Sequence, residues 1–238
     1  MTSAGTTHDR VRQLVAENLR PVRPLLPPTR RVLIVSPIAA VVAFLAGLKY
    51  GRRDDFEQLG GIITWGLSAM QWTIGLLILG IALRQAIPGY GVSRRTLWIG
   101  CAVAVLAILT VTTVTYVAHP TFVPPDRTWR LWYLCLIGPL EFGGPLLAVS
   151  SLLAARAFPT RPASVGALCG LAAGVVADSG WRLTCWISVP THVLGAHALA
   201  VALQVAGGAV LGTMIDRLRP SFQGGETADP TRRPAAGR

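Results

Sequence analysis

Charged residues are scarce in this chain of 238 residues: they make up 14% of it, whereas 52% of the residues are hydrophobic. So few charges cannot cover the surface of a water-soluble protein of this length. The composition therefore argues against a soluble globular protein and indicates a polytopic membrane protein.

Several motifs of catalysis and processing are also missing. The sequence has no GxSG or HExxH motif and no paired intramembrane aspartates in a recognised motif, which argues against an intramembrane protease. The four cysteines form no CxxC, so a thioredoxin-type redox motif is not indicated. About thirty mostly polar residues precede the first apolar run, so we expect no cleaved signal peptide.

Six apolar stretches are long enough to cross a bilayer, which takes about 20 residues as a helix. They run over 32–50, 61–83, 97–118, 131–156, 164–186 and 191–215. Turn-forming and charged residues separate them. The sequence thus predicts an all-α polytopic membrane protein. It has an N-terminal segment over 1–31, a six-helix transmembrane domain over 32–216 and a disordered tail over 217–238.

The basic residues predict the orientation of these spans. They outnumber the acidic ones 22 to 11, and in a membrane chain such an excess bears on topology and anionic lipid before nucleic acid. Sixteen of the 22 lie in the two terminal segments and in the second and fourth loops, and six lie on the opposite side. The positive-inside rule then places both termini in the cytoplasm.

The segment before the first span combines a short amphipathic helix with the proline-rich run "LRPVRPLLPPTRRV". Val11, Leu14, Val15 and Leu19 follow the i, i+3, i+4, i+8 pattern of a helix with one apolar face. The prolines after it favour an extended chain. Two interpretations fit: a helix that lies on the inner leaflet, or a partner-binding helix on a semi-rigid spacer.

Two of the four cysteines share a layer if the topology is right. Cys135 lies just inside the start of span four and Cys185 at the end of span five, and both ends face outside. On an oxidising face such a pair could form a disulfide or bind a soft metal, or the two could be unrelated buried thiols. Cys101 and Cys169 are expected to be packing residues.

Span five carries small and charged residues at a regular spacing of four. Gly166, Gly170 and Gly174 form a face that lets another helix approach closely, and Asp178 and Arg182 follow it one turn apart. The two charges are expected to neutralise each other inside the bilayer. A second GxxxG motif in span six, from 208 to 212, predicts helix packing and allows a homo-oligomer.

Further polar side chains are expected in the outer part of the membrane. Glu141 and His197 lie at about the depth of Asp178, and His119 and His192 lie at the outer boundary. Together with the cysteines they could form a metal or redox sensor. The residues suggested as metal ligands are Cys135, Cys185, His192 and His197.

Three stretches of the sequence resemble one family over about residues 11 to 219. The first is the proline and arginine segment from 19 to 31. The second is Trp132 to Cys135 with Pro139 after it, and the third is Cys185, followed by His197 and the GxxxG at 208–212. On these residues the chain resembles the NrsF-type integral-membrane anti-sigma factors, which are negative regulators of extracytoplasmic-function sigma factors in bacteria.

The resemblance implies a multi-pass protein of the bacterial inner membrane, without enzymatic activity or cofactor, whose N-terminal segment holds a sigma factor. The residues we expect to bind the sigma factor are Val11, Leu14, Val15, Leu19, Arg20, Pro21 and Arg23. It further implies that the cysteine pair, to which we add His197, senses a metal or oxidative stress.

A small transporter for a metal or an organic solute is the alternative. It is motivated by the intramembrane polar residues Glu141, Asp178, Arg182 and His197. No inverted repeat is visible between the three-helix halves, and the spans lack paired helix breaks. Solute flux in proteoliposomes that Asp178→Asn abolishes would support this alternative.

Overall fold

The computed structural model describes residues 4–18, 25–91, 93–122 and 127–218. Within these ranges the chain forms seven helices and no β-strand. They are α1 (Ala4–Asn18), α2 (Pro28–Tyr50), α3 (Phe56–Gln85), α4 (Arg94–Ala118), α5 (Thr128–Ala155), α6 (Pro162–Trp181) and α7 (Pro190–Leu218). Helices α2 to α7 are each long and apolar enough to cross a membrane. This confirms the predicted all-α class with six spans and an N-terminal helix.

Helix α6 forms the centre of the bundle. Of its most apolar window 78% is buried, against 22–39% for the other five spanning helices. Helices α2, α3, α5 and α7 pack around it, while α4 lies at the periphery against α3 and the first turn of α7. Small side chains allow this packing, because glycine and alanine let several helices approach one helix closely.

The two glycine faces found in the sequence pack against each other. A Cβ added to Gly166 would meet the carbonyl oxygen of Gly208, and a Cβ on Gly208 would meet that of Gly166. Gly170 and Gly212 likewise approach the backbone of the opposite helix. The two faces therefore pack against each other within one chain, and a homo-oligomer stays a prediction.

Several helix ends differ from the predicted boundaries for local reasons. Gly60 takes a φ of 75° inside α3, so the helix is broken there and the regular part begins close to the expected residue 61. Helix α6 ends at Trp181, earlier than the expected 186; residues 182–184 form a turn and residues 185–189 are irregular up to Pro190. Helix α7 runs to Leu218 and so includes the first two residues of the predicted tail; residues 219–238 lie outside the described ranges.

The alternation of the six helices defines two ends of the bundle. The loop residues 51–55, 119–122 and 182–189 lie at one end, which we call the cysteine end. Residues 25–27, the end of α7 and the loop residues 86–91 and 156–161 lie at the other, which we call the terminal end.

Arg31 joins the start of α2 to two neighbouring helices at the terminal end. Its side chain is 3% exposed and donates hydrogen bonds to the carbonyl oxygens of Leu83 and Leu153. These carbonyls belong to the last turns of α3 and α5, where a helix has no partner for them and favours a positive charge. Arg30, by contrast, is exposed.

Candidate functional site

The two cysteines expected to share a layer are in contact at the cysteine end. Their sulfur atoms are 3.4 Å apart, and the side chains are 5% and 7% exposed for Cys135 and Cys185. Cys135 stands on α5 four residues before Pro139, which lacks the N–H that would bond the Cys135 carbonyl in a regular helix. Cys185 lies in the loop after α6 and not at the end of the helix as expected.

One side of the loop that carries Cys185 is held by the loop between α2 and α3. The Arg53 guanidinium donates to the carbonyl of Arg182, and the Arg53 N–H donates to that of Leu183. Asp55 in turn forms a buried ion pair with Arg53 at 2.5 Å. A charged group thus fixes the backbone just before Cys185.

The other side of the same loop is held by the residues after α4. Thr121 and Ser188 exchange hydrogen bonds of 2.8 and 2.9 Å between backbone N–H groups and side-chain oxygens. The Ser188 hydroxyl also donates to the carbonyl of His119. The peptide around Cys185 is therefore fixed on both sides although it is not helical.

A π-helical turn brings two histidines to the cysteines. Helix α7 contains this wider turn from Val193 to Ala198. In a regular α-helix His192 and His197, five residues apart, would point about 140° away from each other. In a π-turn residues five apart share a face, and the two imidazole rings are 5.8 Å apart.

The result is a compact group of four side chains that can ligate a metal. One ligand atom each from Cys135, Cys185, His192 and His197 lies within 4.8 Å of the others. All four side chains are buried. The sulfur of Cys185 lies 4.0 Å from Nε2 of His192.

A buried charged network supports this group from the side of α6. Asp178 is fully buried, and its two carboxylate oxygens accept from Nδ1 of His197 and from Nε2 of Gln71, each at 2.6 Å. Nε of Arg182 lies 3.4 Å from the same carboxylate, and its guanidinium reaches the hydroxyl of Thr112 at 3.5 Å. The expected pair of Asp178 and Arg182 therefore forms, and it also holds a histidine.

The surroundings of Cys185, which lies outside the spanning helices, favour its thiolate. The hydrogen bond from the Cys135 thiol lowers the pKa of Cys185 well below its ordinary value. Burial acts in the opposite direction, and the imidazoles of His192 and His197 add to the lowering. A thiolate is the form of cysteine that attacks oxidants and binds metals.

A cavity that is open to the surface is lined by the two cysteines. It has a volume of about 180 Å³ and reaches from the exposed Arg52 and Asp54 to Cys135 and Cys185. The histidines do not line it. A small ion or oxidant entering from the cysteine end would thus meet the thiols first.

Two other polar residues from the sequence analysis do not join the group. Glu141 points to the surface, where it pairs with Lys49 at 2.7 Å and both side chains are about half exposed. His119 contributes its backbone carbonyl to the loop contact described above. Counting residues from the end of a span gives the depth of a side chain but not the face of the helix on which it lies. For this reason Glu141 was wrongly grouped with Asp178.

Two partners of the site were missed in the sequence. Gln71 is a fully buried amide in α3, and a lone polar side chain in an apolar span is itself a sign of an interhelical hydrogen bond. Thr112 could not have been found in this way, because threonine in a span commonly bonds to its own helix, as it also does here with the carbonyl of Ile108.

The apolar side chains of the N-terminal helix α1 are partly exposed on the surface. Val11, Leu14 and Val15 are 54%, 52% and 55% exposed. The other residues expected to bind the sigma factor lie outside the described residues; they are Leu19, Arg20, Pro21 and Arg23. Val11 and Val15 thus have exposed apolar surface that can contact either lipid or protein.

Comparison with protein families matches the chain over residues 15–217 to the model described as NrsF, negative regulator of sigma F. The match includes all six spanning helices and the four-residue group. Comparisons with curated proteins and with solved structures give no significant match.

Proposed function

The chain belongs to the NrsF family of negative regulators of sigma F, and we propose that it holds an extracytoplasmic-function sigma factor at the membrane. The observation that carries this proposal is the family match, which spans most of the chain. In this proposal the sigma factor binds the N-terminal segment and is released when a signal acts on the buried cysteine pair.

The exposed face of α1 supports a binding role for that segment. An apolar stripe on a short helix that the bundle does not cover is the kind of surface that a groove on a partner protein accepts. Val11 and Val15 on this stripe are each more than half exposed. The residues from 19 to 23 continue the proposed binding segment.

The distribution of arginines supports placing both termini in the cytoplasm, where a sigma factor is found. In the proposed orientation the terminal end of the bundle faces the cytoplasm of a bacterium and the cysteine end faces outward across the inner membrane. The cavity over the thiols then opens to the extracytoplasmic side, from which a metal or an oxidant arrives.

Changes in the N-terminal segment test the binding role. Deleting residues 1–20, or changing Leu14 and Leu19 together to Asp, should derepress sigma-dependent transcription constitutively, because a charge on the apolar stripe cannot be desolvated in the complex. The measurement is a sigma-dependent reporter together with co-purification of the sigma factor. Co-purification that is unchanged by these variants would contradict the proposal.

Changes in the cysteines test the sensor separately. The double variant Cys135→Ser with Cys185→Ser should keep basal repression, because serine is similar in size, and should lose the response to metal or oxidant. Cys101→Ser, which is remote from the group of four, is the matched control and should respond normally. A double variant that still responds would show that the signal is sensed elsewhere.

The transporter alternative was motivated by Glu141, Asp178, Arg182 and His197. Asp178 contacts Arg182 and His197, but Glu141 lies apart from them and pairs with Lys49 at the surface.

A further inference from the structure

The four side chains of the group have spacings close to those of a zinc site with two cysteine and two histidine ligands. With Zn–S of about 2.3 Å and Zn–N of about 2.0 Å in a tetrahedron, neighbouring ligand atoms lie about 3.3–3.8 Å apart. The two sulfur atoms are 3.4 Å apart, and Cys185 Sγ is 4.0 Å from His192 Nε2. All four ligand atoms already lie within 4.8 Å of one another, so small side-chain movements would complete the geometry.

His197 is oriented in the way that metal ligands are. Its Nδ1 is 2.6 Å from Asp178, while its Nε2, which is completely buried, has no hydrogen-bond partner among the described residues. Leaving such an atom unsatisfied costs about 1–3 kcal/mol. In metal sites the second imidazole nitrogen commonly bonds to a carboxylate, which fixes the tautomer and leaves the other nitrogen to the metal.

The charges of the site balance for a divalent cation. Asp178 and Arg182 neutralise each other, and two thiolates neutralise one M²⁺ ion, while neutral imidazoles add nothing. A neutral total is needed here because a net charge in a buried site carries a large desolvation cost. Binding requires both cysteines as thiolates: each S–H bond still present breaks as a metal–sulfur bond forms, and its proton leaves to water through the cavity. No atom changes oxidation state.

We propose that Cys135, Cys185, His192 and His197 form a tetrahedral site for a borderline-soft divalent cation of the Zn²⁺ or Cd²⁺ type. Asp178 is the positioning residue that orients His197. The metal joins α5, the loop 182–189 and the π-turn of α7. A role of metal binding in the release of a sigma factor rests on the proposed function, whereas the metal site itself rests on the geometry of the four side chains.

Cobalt binding to the full chain tests the site. The reduced, metal-free protein in detergent micelles is titrated with Co²⁺, which gives intense visible bands in a tetrahedral field and thiolate-to-cobalt charge transfer in the near ultraviolet. We expect one Co²⁺ per chain with both features, and their loss when Zn²⁺ is added. Cys185→Ser and His192→Asn should each weaken binding at least about tenfold. The matched controls Cys101→Ser and His119→Asn should bind like the wild type.

Asp178→Asn tests the positioning role in the same titration, using only the monodisperse helical fraction. We expect the affinity to fall about 10- to 100-fold. The charge-transfer band of both thiolates should persist while the visible bands shift, because the orientation of one nitrogen ligand is lost. A merely structural role would change the folded fraction and leave the spectrum of that fraction unchanged.

Several outcomes would overturn the metal site. One is a wild-type protein that shows only octahedral cobalt spectra, and another is a Cys185→Ser variant that binds cobalt unchanged. A third is a protein that binds no metal but forms a disulfide between Cys135 and Cys185 on mild oxidation, with loss of the two thiol hydrogen atoms. The pair would then be a dithiol switch. Co-purification of the sigma factor with the intact N-terminus is measured in parallel, so that a failure of the metal site is distinguished from a failure of the sigma-binding role.

Discussion

Asp178→Asn should destabilise the bundle far more than any change to a surface charge of the same protein. The carboxylate is fully buried and serves three groups: His197, Gln71 and Arg182. An amide keeps the shape but offers one acceptor oxygen in place of two, so an N–H would face a second donor. The guanidinium of Arg182, 4% exposed, would also lose its counter-charge.

The size of the effect follows from which charge is left behind. Breaking a buried ion pair by removing one partner costs about 3–5 kcal/mol, because the remaining charge stays buried without compensation. Glu141→Gln is the matched control, since it also removes a carboxylate charge, but its pair with Lys49 is about half exposed. Exposed pairs contribute about 0–1 kcal/mol. The two variants should therefore differ by about 3 kcal/mol, or about a hundredfold in the unfolding equilibrium.

Reversible unfolding in mixed micelles, followed by the fluorescence of the tryptophans, measures both variants. The double variant Asp178→Asn with Arg182→Gln separates charge from shape. If the unpaired guanidinium is the cause, the double variant should be more stable than Asp178→Asn alone. Our reasoning would be refuted if Asp178→Asn fell within 1 kcal/mol of Glu141→Gln, or if removing Arg182 made it less stable still.

Two further pairs of adjacent residues give opposite expectations. In the same assay, Arg31→Met should lower the free energy of unfolding by about 2–3 kcal/mol, since it removes charged hydrogen bonds from two helix-end carbonyls. The control Arg30→Met should change it by no more than about 0.5 kcal/mol. Equal effects would show that the contacts of Arg31 do not stabilise the fold. Gly208→Ala should destabilise the fold by about 1–3 kcal/mol, because its Cβ meets the carbonyl oxygen of Gly166. The control Gly207→Ala has open space around its Cβ and should be neutral or stabilising by up to about 1 kcal/mol. A Gly208→Ala variant as stable as the wild type would mean that the two helices can move apart at little cost.

The spans and the Asp178–Arg182 pair could be predicted from the sequence because both depend on local spacing. A run of about 20 apolar residues requires a helix in lipid, since every backbone group must be bonded internally. Residues four apart on a helix must share a face. The contact of Cys135 with Cys185 needed the further assumption that spans four and five are neighbours, and the structure places α5 against α6.

The complete site could not be predicted, because it depends on departures from regular helices. His192 and His197 share a face only through the π-turn, and a spacing of five argues against that on an α-helix. Cys185 lies in a loop whose position depends on Arg53 and Thr121, residues far away in the sequence. Such tertiary contacts leave no periodic pattern.

Helix α2 connects the two ends of the bundle, and this makes it the element through which a change at the cysteines would reach the N-terminal segment. At the cysteine end it leads into the loop whose Arg53 holds the residues before Cys185. Along its length a Cβ on Gly180 would meet the carbonyl oxygen of Ala43, so α2 and α6 touch through their backbones close to Asp178. Packed backbones cannot yield gradually, so a displacement of α6 is passed to α2 as a whole. At the terminal end it would then reach Arg31, which donates hydrogen bonds to the carbonyl oxygens of Leu83 and Leu153 on two other helices. The signal at the cysteines and the sigma factor at the N-terminal segment would thus shift the same equilibrium between two positions of α2. Thermodynamic coupling between two sites requires such a shared equilibrium.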